Sequence, residues 1–402
     1  MQLDVLIFGG GVAGLWCLDR FRGAGYHALL LESAALGRGQ TIQAQGIIHG
    51  GGKYALRGVR DFAAVRASKE MPDRWRRSLA GEIEPNLSGV RVLSERCFLW
   101  LPRGSLVARV QSWGFMSVVA KAGLLSTPPE AVPESAWPEA LSGSALTVYT
   151  LAEPVIATGS LLESLAAHHQ KYIRRYDDAA VHFTGKEVRI ADTMLDPRFI
   201  VLAAGEGNAD LLRKAGVGGT PMQRRPLGMV LLRGALPPLF GHCIVGGKTQ
   251  LTINTPVQGI WQIGGELAER LAHEDLARAQ RDVVSEALGR VVLRHVVSEI
   301  RRRLPALDFS RMELSIYRAV RAEARTADQR RPSGVHAGRV APRTVVAWPT
   351  KLSLAPVLAD EIFNLVNTEL KQPGGYDHEA PPWPTPPVAR YPWEEAEWFP
   401  AR

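Results

Sequence analysis

The most specifically spaced residues of this chain are three glycines, Gly9, Gly11 and Gly14, in "VLIFGGGVAGLW". They fit the pattern G-x-G-x-x-G, and Glu32 closes the apolar run that follows. This set suits the holding of a dinucleotide. The first glycine makes a tight turn, the second lets a pyrophosphate approach the backbone, and the third lets helix and strand pack closely. The N–H groups that open the helix, at Val12 and Ala13, and the positive end of its dipole face the phosphates. An acid about 20 residues on accepts from a ribose hydroxyl. A 2′-phosphate would meet a like charge at Glu32, which disfavours NADP and leaves FAD or NAD.

Glycines at this spacing are informative only between the right elements. Leu3–Phe8 is a short apolar run that reads as a buried parallel strand. From Val12 to Arg22 the apolar residues Val12, Leu15, Trp16, Leu18 and Phe21 recur at helical spacing. Gly23 and Gly25 end that helix, and "HALLLE" is a second strand ending on Glu32. Strand, glycine turn, helix, strand and acid together form the dinucleotide fingerprint.

A second glycine-dense stretch, "QTIQAQGIIHGGGKYALRG", spans residues 40–58. Each glycine loses extra chain entropy on ordering, so this density implies that something approaches the backbone closely. His49 stands directly before Gly50, Gly51 and Gly52. An imidazole titrates near neutral pH, so His49 is a candidate base or substrate contact as well as a structural histidine beside a cofactor.

With 402 residues, 46% hydrophobic and 22% charged, the chain can bury a sizeable core and is expected to hold two domains. Cys17, Cys97 and Cys243 are far apart and odd in number, which indicates neither a disulfide framework nor a zinc site. No apolar run approaches the length of a membrane span, and the first strand leaves no room for a signal peptide. A cytoplasmic location is expected. The net charge of +8 comes from arginine runs such as "RWRR", "MQRRP" and "IRRR". Solvated helix faces explain such runs, and an anionic substrate, nucleic acid or an anionic membrane surface are the other readings. No zinc-finger, RNA-recognition or basic-zipper pattern is visible, and aromatic residues do not alternate with the arginines as a stacking groove requires.

The remaining chain reads as follows. Residues 59–79 form a basic amphipathic helix or helix pair broken near Pro72, and 85–150 hold short β-like runs. A helix is expected at 157–176. An apolar strand at 198–202 runs into Ala203-Ala204-Gly205 and a further helix. Residues 225–270 alternate as antiparallel strands do, 274–304 are helical, and the chain is irregular after Tyr317. A strand, a turn and a final helix occupy 344–366. The tail from Gln372, rich in proline and tryptophan, is expected to be extended over the surface.

Taken in order, these segments resemble the D-amino-acid oxidase-like superfamily of FAD-dependent oxidoreductases. Its members include glycerol-3-phosphate dehydrogenases, hydroxyglutarate oxidases, and sarcosine or glycine oxidases. The likeness rests on "GGGVAG" with Glu32, "GQTIQAQGIIHGG", "FIVLAAGEGNADLL", "GIWQIGGELAE" and "KLSLAP". It implies an α/β fold with a Rossmann-like FAD-binding domain from residues 1–80, 150–220 and 320–370. An antiparallel β-rich substrate domain would take 81–149 and 221–319, and 371–402 would be an extended tail.

The resemblance also assigns residues. The loop after the second strand would run beside the flavin, with Gly46, Ile47 and Gly50–Gly52 letting backbone approach it. Gln40, Thr41 and Gln45, where the family usually has serines, would bond the phosphates or ribityl chain. Ala204 and Gly205 end a strand at the cofactor. Lys351, Leu352 and Ser353 would face the flavin's O2 edge at the start of the last helix, whose positive end favours an anionic flavin. In relatives that oxidise methylated glycines the histidine matching His49 is bonded to the flavin, which adds a third reading of that residue. Arg321, or alternatively Arg325, would grip a substrate carboxylate or phosphate, although the family's Arg-Pro pair is absent. The implied activity is hydride transfer to flavin N5 from a C–H beside an amine or hydroxyl of a small anionic substrate. The electron acceptor would be oxygen, a quinone or another molecule. Two alternatives stand beside it: an FAD enzyme acting on a tRNA base or other nucleic acid, and a flavin-bound partner protein without turnover.

Overall fold

The apolar run Gln2–Phe8 forms a strand buried from Leu3 onward. It pairs in parallel with Ala28–Glu32 on one side and Thr193–Leu202 on the other. A strand enclosed in this way has no wet face, which explains its unbroken hydrophobicity. The computed structural model describes residues 1–51, 68–104, 127–218, 222–273 and 286–401. Around the central strand lies an eight-stranded sheet, whose main path runs His336–Ala341, Thr344–Trp348, Thr193–Leu202, Gln2–Phe8, Ala28–Glu32 and Ile173–Arg175. The helices Val12–Gly23, Thr158–His168 and Ala355–Leu370 pack together against it. Trp16 and Trp75 meet in that core with ring centroids 4.8 Å apart. The Trp75 indole N–H donates to the Ser353 carbonyl at 3.0 Å, so a buried polar atom is satisfied.

A nine-stranded sheet faces the first across the site. Its order is Phe399–Pro400, Glu313–Ala324, Met222–Arg233, Ile260–Gly264, Lys248–Val257, Gly241–Val245, Cys97–Pro102, Ala145–Leu151 and Glu130–Ala131. All neighbours are antiparallel except Gly241–Val245 and Cys97–Pro102, which run parallel. Leu267 and Leu271 of the helix Glu266–His273, with Val296 and Ile300 of the helix Glu286–Arg301, pack into its core.

Two sequence expectations change. The helix expected at 157–176 ends at His168, and Ile173–Arg175 is a strand. The chain is not irregular after Tyr317: Glu313–Ala324 is one strand paired along its whole length with Met222–Arg233. Charged residues hid its pattern, because buried Glu323 is matched across the pair by Arg225 at 2.9 and 3.0 Å. This strand also crosses the boundary expected between residues 319 and 320. The break expected near Pro72 is present: Ser68 is helical, Lys69 and Glu70 form a turn, and Pro72 sits in the first turn of the next helix, Met71–Leu79, where its missing N–H costs nothing. The part of that expected helix at 59–67 lies outside the described residues, as do Gly52 and residues 274–285 of the expected 274–304 helix. The tail is fastened to the rest of the described chain. Val388 bridges Leu36, the Tyr391 hydroxyl accepts from the Gly159 N–H at 2.6 Å, and Phe399 pairs with Leu314. No helix among the described residues is long and apolar enough to cross a membrane.

Candidate active site

The glycine turn divides its work among its three positions. Gly9 has φ +110°, and a Cβ there would lie 2.5 Å from the Ala204 Cα. A Cβ on Gly14 would lie 1.9 Å from the Gly9 carbonyl oxygen. These two glycines let the turn, the helix and the neighbouring strand touch. Gly11 differs: its φ of −78° suits any residue, and a Cβ would meet only the Thr41 Oγ1, at 3.2 Å. It opens the helix Val12–Gly23 and borders a cavity of about 660 Å³, a size suited to a cofactor and small molecule. Glu32 reaches the same cavity, its Oε2 accepting from the Gly10 N–H at 2.7 Å and its Oε1 from the Ala34 N–H at 2.9 Å. Each oxygen keeps a second lone pair for a hydroxyl donor.

The residues predicted to hold a cofactor come together here from four separate segments. Gly9, Gly11, Val12, Ala13 and Glu32 line the cavity, with Gln40, Thr41, Gln45, Gly46 and Ile47 from the following loop. Ala204, Gly205, Lys351 and Leu352 complete that side. Gly14 and Ser353 lie behind the lining.

Several of these residues are also held by the protein itself. The Gln45 amide donates to the Thr252 and Gln262 carbonyls at 2.9 and 2.8 Å, and Gln40 donates to the Ala322 carbonyl at 3.3 Å. A glutamine is long enough to reach the opposite sheet, so both amides tie the loop to it. Thr41 Oγ1 accepts from the Val12 N–H at 3.2 Å, at the mouth of the helix. The Lys351 N–H is taken by the Pro349 carbonyl at 2.6 Å. Gly46 has φ +70°, and its absent Cβ would fall 1.9 Å from the Ile156 carbonyl oxygen. That glycine therefore permits a close approach of backbone to backbone, beside the wall of the cavity.

Residues 4–347 match the family model for the FAD-dependent oxidoreductases called DAO. The chain belongs to this family. It is an FAD-dependent oxidoreductase, and the cradle at Gly11 and the acid at Glu32 fit FAD. It is 36% identical over 408 residues to the "Probable FAD-dependent oxidoreductase PA4991" of Pseudomonas aeruginosa, spanning 98% of each chain. The crystal structure of that relative superposes with a TM-score of 0.78 over 98% of each chain, at 32% identity. At the level of fold, FAD-bound L-alpha-glycerophosphate oxidase from Mycoplasma pneumoniae matches with a TM-score of 0.62 at 12% identity, over 97% of this chain and 100% of that one. Glycine oxidase from Geobacillus kaustophilus matches at 0.60 and 13%, over 94% and 96%. The cavity thus sits in a D-amino-acid oxidase-like fold.

On the other side of the FAD oxidoreductase's cavity, the wall is formed by the nine-stranded sheet. Arg321 lies there on the strand Glu313–Ala324, half-buried. Its guanidinium makes no hydrogen bond or ion pair among the described residues. Burial first, then the charges of Arg331 and Arg225, lower its pKa to about 10. Arg225 is held by Glu323, whereas Arg331 lines the same cavity. Arg325, the alternative anion anchor, is exposed and outside the cavity, its guanidinium reaching the Met222 carbonyl at 3.5 Å. The strand's period of two turns residues 321 and 323 to one face, but Arg325 lies past its end.

His49 also lines the cavity, and its Nδ1 lies 3.2 Å from Oε2 of buried Glu153. The His242 ring lies 5.4 Å from the His49 ring, centroid to centroid. Glu153, His242 and Arg331 were not singled out from sequence. A lone acid between two apolar strands and a lone histidine inside one carry no spacing signature, and only the fold brings them to His49. Because the His49 ring is engaged by Glu153, the flavin is expected to be non-covalent. Acid precipitation should release the yellow colour into the supernatant. Colour retained in the pellet, and lost in His49→Ala, would show the opposite.

Proposed function

We propose that this enzyme oxidises a C–H bond beside an amine or hydroxyl of a small anionic substrate held by Arg321. The observation that carries this reading is a guanidinium without a protein acceptor on the cavity wall opposite the glycine turn. A carboxylate or phosphate would satisfy its planar fork with two charge-assisted hydrogen bonds. FAD, when bound, supplies the two-electron chemistry by accepting hydride at N5. The chain's own work is positioning: Arg321 fixes the anionic end, and apolar Leu227, Met229 and Ala319 on the same wall exclude water beside the reacting carbon. Glycine oxidase and glycerophosphate oxidase, which share the fold, are named for an amine and an alcohol substrate, each carrying an anionic group.

Much of the arginine excess that suggested nucleic acid is instead spent in ion pairs, as in Arg74 with Asp360, Arg224 with Glu206 and Arg303 with Glu299. A cytoplasmic location accords with three buried thiols, Cys17, Cys97 and Cys243, none of them in a disulfide. The reading is tested by anaerobic bleaching of the flavin with amino acids, hydroxy acids and glycerol phosphates. Bleaching by an anionic member and not by its neutral amide or alcohol analogue is expected. A preference for the uncharged analogue would overturn it.

A further inference from the structure

The geometry points to a binding site for a divalent transition-metal cation, of the zinc class, made by His49, Glu153 and His242 beside the cavity. The three residues come from distant places in the chain: the loop after Ala28–Glu32, the turn between Ala145–Leu151 and Val155–Ile156, and the strand Gly241–Val245. Each offers one ligand atom, and these atoms all lie within 4.8 Å of one another. His49 Nδ1 and Glu153 Oε2 are 3.2 Å apart. Bonds of about 2.0–2.2 Å from nitrogen and carboxylate oxygen to zinc place neighbouring donors roughly 3.0–3.5 Å apart. That pair is already at coordinating separation, and the third donor needs a shift of about 1 Å.

The atoms that would not touch the ion are held in the way metal ligands require. His242 Nδ1 lies 3.0 Å from the Thr252 hydroxyl, and the tautomer that donates there presents Nε2 as the lone-pair donor. Glu153 Oε1 accepts from the Gly50 N–H at 2.8 Å, which turns Oε2 toward the histidines. Such outer partners fix ring and carboxylate orientation in metal sites. His242 is fully buried and Glu153 nearly so, while His49 and Thr252 border the cavity. Three protein donors would thus leave a coordination position on the cavity side, where a water or a substrate oxygen can enter. Two imidazoles and a carboxylate select zinc-like ions over magnesium or calcium, which prefer oxygen alone. The site is independent of the Arg321 reading, since it lies on other strands and calls for no anionic substrate.

The test uses full-length holoenzyme with any histidine tag removed, stripped with chelator and desalted. Titration with Zn²⁺, and with Co²⁺ read by absorption at wavelengths beyond the flavin bands, should give one bound ion per chain. Elemental analysis after desalting should agree. Glu153→Gln keeps the shape and the bond to Gly50 but should abolish stoichiometric binding. Thr252→Val, which touches only the His242 Nδ1, should weaken it about 10–100-fold. His169→Gln, paired with Asp19 away from the cavity, should leave binding unchanged. Flavin absorbance and the melting temperature establish that each variant is folded; should Glu153→Gln fail there, Thr252→Val decides. Wild-type protein that retains no Zn²⁺ or Co²⁺ overturns the proposal, leaving His49 and Glu153 as a proton-linked pair. Binding that survives in folded Glu153→Gln, or unchanged in Thr252→Val, overturns it as well.

Discussion

Gly11→Trp is expected to yield a folded protein that purifies without flavin, the largest effect on function of any single change considered for this chain. The reason lies in the division of labour within the glycine turn. Gly11 already has a backbone conformation open to any residue, so the substitution adds no φ strain. Its Cβ would stand 3.2 Å from the Thr41 hydroxyl, a contact relieved by a shift of a few tenths of an ångström. Beyond that atom the side chain enters the cavity, over the N-terminus of Val12–Gly23, where the glycine pattern is expected to hold the pyrophosphate. An indole there would fill the space and cover the helix N–H groups. The absorption spectrum of the purified protein reads the outcome, with circular dichroism and thermal melting as the test of folding.

Gly14→Ala is the informative contrast. Its Cβ would press on the Gly9 carbonyl, so helix and strand must separate or the turn must deform. Overpacking of that kind costs about 1–3 kcal/mol or more. The loss should appear as a lower melting temperature, with flavin lost in proportion to unfolding. A Gly11→Trp protein that is yellow with one FAD per chain would remove the pyrophosphate from this turn.

The same contrast explains what the sequence made legible. The strand, glycine turn, helix and second strand at residues 2–32 are set by local spacing, and their periodicities and punctuation could be read directly. The partners those residues meet could not. Gly9 is pressed by Ala204 and Gly46 by Ile156, contacts made only after distant strands have paired. The glycine density of the 40–58 loop points to a close approach, and Gly46 and Gly50 make room for Ile156 and for Pro72. A sequence shows that a side chain is missing and not which neighbour required it. The strand Glu313–Ala324 was missed because Arg321 and Glu323 break its apolar alternation. Glu323 is tolerated at full burial because Arg225, in the paired strand, meets it with two hydrogen bonds. Glu153 and His242 reach His49 through the parallel pairing of Gly241–Val245 with Cys97–Pro102, a link between segments far apart in the chain.

Arg321→Leu should weaken anion binding by tens- to several-hundred-fold while leaving FAD in place. At neutral pH the guanidinium remains charged, because burial and the nearby Arg331 and Arg225 bring its pKa down only to about 10. The lowering itself means that the charged form is held at a cost, which an incoming anion offsets. A charged, two-pronged contact in a partly desolvated site contributes roughly 2–4 kcal/mol, and each 1.4 kcal/mol is about tenfold in affinity. Leucine keeps the apolar stem and removes the fork, so the wall between Ala319 and Glu323 should hold its shape. Benzoate, followed by its perturbation of the flavin spectrum, is a suitable unreactive carboxylate. Its affinity for wild-type enzyme should fall as pH rises toward 10, where Arg321 begins to lose its proton, and this slope should vanish in the variant. Arg325→Leu, exposed just past the end of that strand, should change neither value. Flavin content should be equal in all three proteins, since Gly9, Gly11 and Glu32 lie on the opposite wall. Tight, pH-independent benzoate binding by Arg321→Leu would place the anion's partner elsewhere, and Arg331 is the next cation on the cavity wall.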